Sequence, residues 1–106
     1  MISIDDFKKL EIRVGKVVEC KKVEDTDKLL RLTFDFGDEK RTIVSGIAES
    51  YTPEDLVGCE IPVIVNLEPR TIRGIESQGM ILAAIENDKP IVLSPKTEVV
   101  PGSRVG

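Results

Sequence analysis

Histidine and tryptophan are absent from this 106-residue chain, and cysteine occurs only as Cys20 and Cys59. Without imidazole the commonest acid-base catalyst and metal ligand is missing, and two thiols alone cannot complete a zinc site. No metal or cofactor is expected. Each cysteine sits singly in an apolar segment and reads as a small core residue. Neither a nucleophile motif nor a glycine-rich phosphate loop is present, so the chain reads as non-catalytic. The only aromatics are Phe7, Phe34, Phe36 and Tyr51. Apolar runs such as MILAAI fall far short of the ~20 residues that span a bilayer. The opening MISIDDFKKL has early acids and no apolar signal core, so a cytoplasmic location is expected.

What is present fits one domain, residues 1–106, long enough for a modest core. Hydrophobic residues make up 41% and charged residues 32%, the balance of a globular chain. A net charge of −4 argues against indiscriminate binding to polyanions. The acid excess is confined to residues 1–60, with ten basic and fourteen acidic side chains, whereas residues 61–106 carry five of each. A local cationic face against an acidic back is therefore compatible with the composition.

The hydrophobic pattern predicts mostly strands. SIDDFKKL opens with a short helix capped by Ser3 and Asp6. EIRVGKVVEC reads as a long strand bent at Gly15. LLRLTFDFG alternates strictly, putting Leu30, Leu32, Phe34 and Phe36 on one face, and a Gly-Asp turn leads to RTIVSGI, so residues 29–47 read as a hairpin. YTPEDLVG has Thr52 as cap, Pro53 at the first helical position and Gly58 as stop. EIPVIVNL and GMILAAIE read as two strands covered on both faces. The tail KPIVLSPKTEVVPGSRVG offers two short strands broken by Pro95 and Pro101. Three strands, a helix and two strands is the chain order of the OB-fold, a five-stranded Greek-key barrel that commonly binds oligonucleotides. The expected fold is thus all-β, with extra strands after the barrel.

Between the last two barrel strands lies NLEPRTIRGIESQGMILAA, where Arg70, Arg73, Asn66, Ser77, Gln78 and Met80 crowd together. The arginines can pair with phosphates as planar forks, the polar residues offer neutral donors and acceptors, and Met80 adds a soft apolar surface. Such a set suits a folded RNA corner, recognised by shape, backbone and unstacked bases. Phe34 and Phe36 are assigned to the buried face, which disfavours stacking of nonspecific single strands. Each residue has a second reading. Arg70 and Arg73 could be solvated loop charges, Ser77 could cap a local turn, and Met80 could be core. Lys28, Arg31 and Arg41, near the outer side of the first hairpin, could belong to a salt-bridged face.

Written as N-L-x-P-R-x-x-x-G-x-x-S-x-G-M, residues 66–80 strongly resemble the signature of the tRNA-binding domain family. EIRVGKVVEC, DKLLRLTFDFG and RTIVSGIAE occur in the family's order and spacing, so the resemblance covers nearly the whole chain. Where the family often has a His-Pro pair, this chain reads VEDTDKL, with Asp27, Lys28 and Leu29 matched. The resemblance implies a tRNA-binding homodimer that serves a partner such as methionyl-tRNA synthetase. Lys28, Arg31, Arg41, Asn66, Arg70, Arg73, Ser77, Gln78 and Met80 are its candidate contacts. The signature overlaps with export-associated chaperone-like dimers that bind extended peptides, which is the alternative. Because Met1 directly precedes the domain and no linker follows it, a complete small protein is expected. The apolar tail from Pro90 to Gly106 either folds back on its own barrel or packs across a two-fold axis with the helix bearing Ile4 and Phe7. The resemblance favours the second, with removal of the tail after Asp88 expected to undo the dimer.

Overall fold

Residues whose side chains alternate between apolar and polar can bury one face of a strand, and the first half of the chain is built on this rule. In the computed structural model, which describes residues 1–106, α1 (Ile4–Phe7) is closed by reciprocal bonds. The Asp6 amide donates to Ser3 Oγ (3.1 Å) and the Ser3 amide to the Asp6 carboxylate (3.4 Å). Strand β1 (Ile12–Lys22) pairs antiparallel with β2 (Leu30–Asp35), which pairs with β3 (Lys40–Ser45) in the expected hairpin. Leu30, Leu32, Phe34 and Phe36 are buried as the alternation requires.

Gly15 does something other than bend the strand. The register of β1 against β2 slips between Val17 and Glu19, not at Gly15. A Cβ at Gly15 would stand 2.7 Å from Phe34 Cδ1 and 2.8 Å from Phe36 Cε1. The glycine is the floor on which the two rings lie, stacked with centroids 6.0 Å apart.

After β3 comes α2 (Pro53–Leu56), opened by the Thr52 amide donating to Asp55 Oδ2 (2.9 Å) and plugging the barrel with the buried Leu56. Strand β4 (Glu60–Ile64) runs antiparallel to β1, from Ile12↔Ile64 to Lys16↔Glu60. A small hairpin, β5 (Arg70–Ile72) and β6 (Ile75–Ser77), precedes β7 (Met80–Ile81), which pairs with β4. The sheet order is β3-β2-β1-β4-β7. It closes where the Gln78 amide donates to the Thr42 carbonyl of β3 (2.9 Å). This is the OB-fold barrel. Its core gathers Val17, Leu30, Leu32, Phe34, Phe36, Ile43, Leu56 and Ile61 among others. Cys20 belongs to that core, and burial pushes its thiol up to about 11. Cys59 is only half-buried at the margin.

GMILAAIE is not one covered strand. It divides at Leu82 into β7 and β8 (Ala83–Glu86): the Leu82 amide still donates to the Pro62 carbonyl (3.0 Å) in the register of β4, but proline has no N–H to return the bond. Strand β8 pairs with β9 (Lys89–Val92) across a turn in which Asn87 and Asp88 have φ of 51° and 62°. This is the left-handed pair that tight hairpins use. The β8–β9 ribbon projects from the barrel, so Ile85 is 68% exposed rather than sandwiched.

The last residues return to their own barrel. Strand β1 extends beyond the end of β2, leaving an open edge at Ile12–Val14, and β10 (Arg104–Val105) fills it. The Val14 amide donates to Ser103 O (2.8 Å) and the Gly102 amide to Val14 O (2.7 Å). Arg13 locks this strap: its Nε donates to Gly102 O (3.1 Å), and Nη2 donates to Phe36 O (3.1 Å) and Asp38 Oδ1 (3.0 Å). Its guanidinium also lies 5.6 Å from the Phe36 ring centroid. The hydrogen bond from Arg13 holds the Asp38 carboxyl below its ordinary range. Farther up the tail the Val99 amide donates to Glu60 Oε1 (3.0 Å) and the Val92 amide to Tyr51 Oη (3.2 Å). Ile91, Leu93 and Val100 stay exposed. The fold-back arrangement thus accounts for the tail's backbone but not for all its apolar side chains.

Gly15→Ala is expected to destabilise the barrel by about 1–3 kcal/mol, the usual cost of overpacking a filled core. Denaturant unfolding measures it, and an unchanged midpoint would mean that the Phe34 and Phe36 rings move aside freely.

Candidate nucleic-acid interface

The stretch from Asn66 to Met80 is a hairpin held at both ends. At its start, Asn66 Oδ1 accepts from the Glu11 amide (2.8 Å) and its Nδ2 donates to Lys9 O (2.7 Å), tying the segment to the turn between α1 and β1. The tip is Arg73-Gly74, with φ of 52° and 78°. At its finish, Ser77 is 5% exposed, and its Oγ accepts from the Val44 amide at 3.0 Å. Gln78 Oε1 accepts from the Thr42 amide (3.3 Å). Strand β7 is only two residues long, so the side chains of Ser77 and Gln78 serve amides of β3 that a longer strand would have paired. Gly79, at φ +149°, lets the chain press onto β4, since a Cβ there would lie 2.8 Å from Ile64 O.

Arg41 is also drawn into this closure. Its Nη1 donates to the carbonyls of Val65 and Gln78, and its Nε donates to Glu39 (2.6 Å). Asn66, Ser77, Gln78 and Arg41 are thus occupied by partners within the chain. Arg70, Arg73 and Arg31 are not: all three are exposed, and no carboxylate lies within 4.0 Å of their guanidinium nitrogens.

The hairpin separates two clefts. One, of about 460 Å³, has Arg70 and the 49%-exposed Met80 at its rim and Val44, Leu67, Ile72 and Ile81 along its walls. The other, of about 320 Å³, is bordered by Arg31, Thr42, Gly74, Ile75, Glu76 and Gln78. Of the nine residues proposed from sequence, Arg70, Ser77 and Met80 meet at the larger cleft, while Arg31 and Gln78 meet at the smaller. Arg73 sits on the tip between them. Lys28 lies in the loop before β2 and borders neither cleft. Sequence reasoning did not single out Ser45 and Glu68, which also line the larger cleft. Ser45 reaches it only because barrel closure brings β3 against a hairpin about thirty residues later, and no local pattern signals that.

Residues 12–104 match the tRNA binding domain family. The chain belongs to this family. Among its relatives, the methionine–tRNA ligase of Archaeoglobus fulgidus is 54% identical over 104 residues, 98% of this chain and 16% of that protein. The chain therefore spans about one-sixth of that relative's length. The solved structure of a MetRS related protein from Pyrococcus horikoshii superposes with a TM-score of 0.95 at 41% identity, covering 100% of this chain and 98% of that one. The chaperone CsaA from Bacillus anthracis str. Ames gives a TM-score of 0.91 at 29% identity, covering 100% and 99%. The hairpin and both clefts lie within the residues the family covers.

Ser77→Ala is expected to leave the buried Val44 amide without its acceptor and to cost about 1–3 kcal/mol of stability. Thermal or denaturant unfolding checks this, and a Ser77→Ala chain as stable as the parent would show that water replaces the hydroxyl.

Proposed function

We propose that this chain is a non-catalytic tRNA-binding protein that recognises structured tRNA through the 66–80 hairpin. It acts as a homodimer and presents tRNA to methionyl-tRNA synthetase or a similar partner in the cytoplasm. The observation that carries the reading is the set of three arginines, Arg31, Arg70 and Arg73, left without ion-pair partners around one hairpin of a chain whose net charge is −4. A guanidinium with no internal partner keeps its fork free for phosphate. Membership in the tRNA binding domain family supports the choice of ligand. So does the likeness to methionine–tRNA ligases and to a MetRS related protein.

A second reading, a chaperone-like dimer that binds extended peptides, draws on the likeness to CsaA and on the apolar walls of the larger cleft. Matched binding assays with bulk tRNA and with an unfolded peptide separate the two.

Arg70→Ala is expected to weaken tRNA binding by about 1–3 kcal/mol, the range of a charge-assisted contact, with the unfolding midpoint unchanged because Arg70 holds nothing inside the chain. Affinity should fall with added salt, as release of counterions from a few phosphates requires. Equal affinity of variant and parent, or a salt-independent affinity, would remove the hairpin from the interface.

The dimer is supported by the apolar side chains left in water on the β8–β9 ribbon and the tail: Ile85, Ile91, Leu93 and Val100. A second copy covering them would set two arginine-bearing hairpins against one large RNA. Sedimentation of the full chain should give twice 11.7 kDa, and Ile85→Lys combined with Val100→Lys should shift it to the monomer. A parent chain that is monomeric at micromolar concentration would overturn this assembly.

A further inference from the structure

Resting on the tRNA-binding reading, we propose that the larger cleft receives one unstacked base of the bound RNA, and that Glu68 selects guanine there. Three observations lead to it. The cleft volume of about 460 Å³ lies in the range of roughly 300–1,000 Å³ that encloses small ligands rather than a run of peptide. Its walls, Val44, Leu67, Ile72 and Ile81, are apolar, and Met80 at the rim supplies the polarizable surface against which a splayed base can lie.

The third observation is Glu68. A carboxylate beside an RNA site repels phosphate, and Glu68, exposed and with no cation within 4.0 Å, lines this cleft beside Arg70. A base edge rich in donors answers it. The Watson–Crick edge of guanine places two N–H donors side by side, N1–H and the N2 amino group, matching the two oxygens of a carboxylate. Uracil offers a single N–H between two carbonyls, which a carboxylate repels. Arg70, at the mouth, then holds the phosphate of the same nucleotide, so the cation and the anion of the cleft address opposite ends of one ligand. Ser45, which lines the same cleft, supplies a further donor or acceptor to the base.

The test is amide NMR on the full chain titrated with guanosine monophosphate, uridine monophosphate and an extended apolar peptide, with tRNA binding measured on the same preparations. Guanosine monophosphate should shift the signals of Leu67, Glu68, Arg70 and Ile81 saturably and bind about fivefold or more tighter than uridine monophosphate, the least that a matched bidentate edge provides. In Glu68→Ala that preference should vanish, with the two nucleotides binding equally, and a preference that survives the substitution overturns the role of Glu68. Equal binding of the two nucleotides by the parent chain overturns the selection of guanine. A cleft that responds to the peptide and to neither nucleotide overturns the base pocket altogether. Bound tRNA with a silent cleft defeats this inference alone, whereas failure to bind tRNA defeats the proposed function and the pocket with it.

Discussion

The edge of β3 is the constraint around which the rest of the barrel is arranged. A strand at the margin of a sheet leaves amides without partners, and in a small domain an open edge is both a loss of hydrogen bonds and an invitation to aggregate. Strand β7, only Met80–Ile81, is too short to cover Thr42 and Val44. The chain instead delivers Ser77 Oγ, Gln78 Oε1 and the Thr42–Gln78 backbone bond to that edge. For those atoms to arrive, the β5–β6 hairpin must lie directly against β3. The two clefts are the spaces left on its flanks, so the geometry of the candidate interface follows from how the barrel closes.

Electrostatics then bears on how the hairpin meets a polyanion. An acidic protein repels RNA over most approaches, but the field is screened beyond roughly 8–10 Å at ordinary ionic strength. A few uncompensated guanidinium groups therefore dominate the potential where they sit. Arg13 and Arg41 do not contribute in this way. Arg13 is shared among Gly102, Phe36 and Asp38, and Arg41 among Val65, Gln78 and Glu39. Of six arginines the chain thus spends two on its own scaffold, carries Arg104 on the strap, and leaves Arg31, Arg70 and Arg73 free around one protrusion that also bears Glu68 and Glu76, a mixed charge that favours oriented rather than indiscriminate contact.

The sequence made the barrel legible because its signals are local and periodic. Alternation along Leu30–Phe36 marked the first hairpin, and the caps at Ser3 and Thr52 marked both helices. What stayed hidden were relations between distant segments. Gly15 looked like a bend because isolated glycines in strands often are, and only the Phe34 and Phe36 rings lying over it reveal that it is a packing surface. GMILAAIE looked continuous because hydrophobicity alone does not show where a strand leaves the barrel, and its ladder with β4 ends opposite Pro62, which has no amide to return to Leu82. The strap at Arg104–Val105 has no hydrophobic pattern at all. It exists because β1 overhangs β2 and Arg13 reaches across 89 residues to Gly102.

The same distinction bears on how the 66–80 motif is read. A run of polar residues at set spacing suggests a ligand, yet Asn66, Ser77 and Gln78 have internal partners and sit where loss of the side chain would orphan a backbone group. A sequence can hold such residues for closure alone, whatever the surface binds. Arg70 has no such task, and neither does Glu68 beside it. Two opposite charges that sit in one cleft without pairing forgo the attraction each could supply, and their separation is intelligible when something between them has a negative end and a donor-rich end. A nucleotide has both, with phosphate at one extremity and a base edge at the other. An apolar peptide segment has neither, so the charged rim of this cleft argues for RNA even though its walls would suit either ligand.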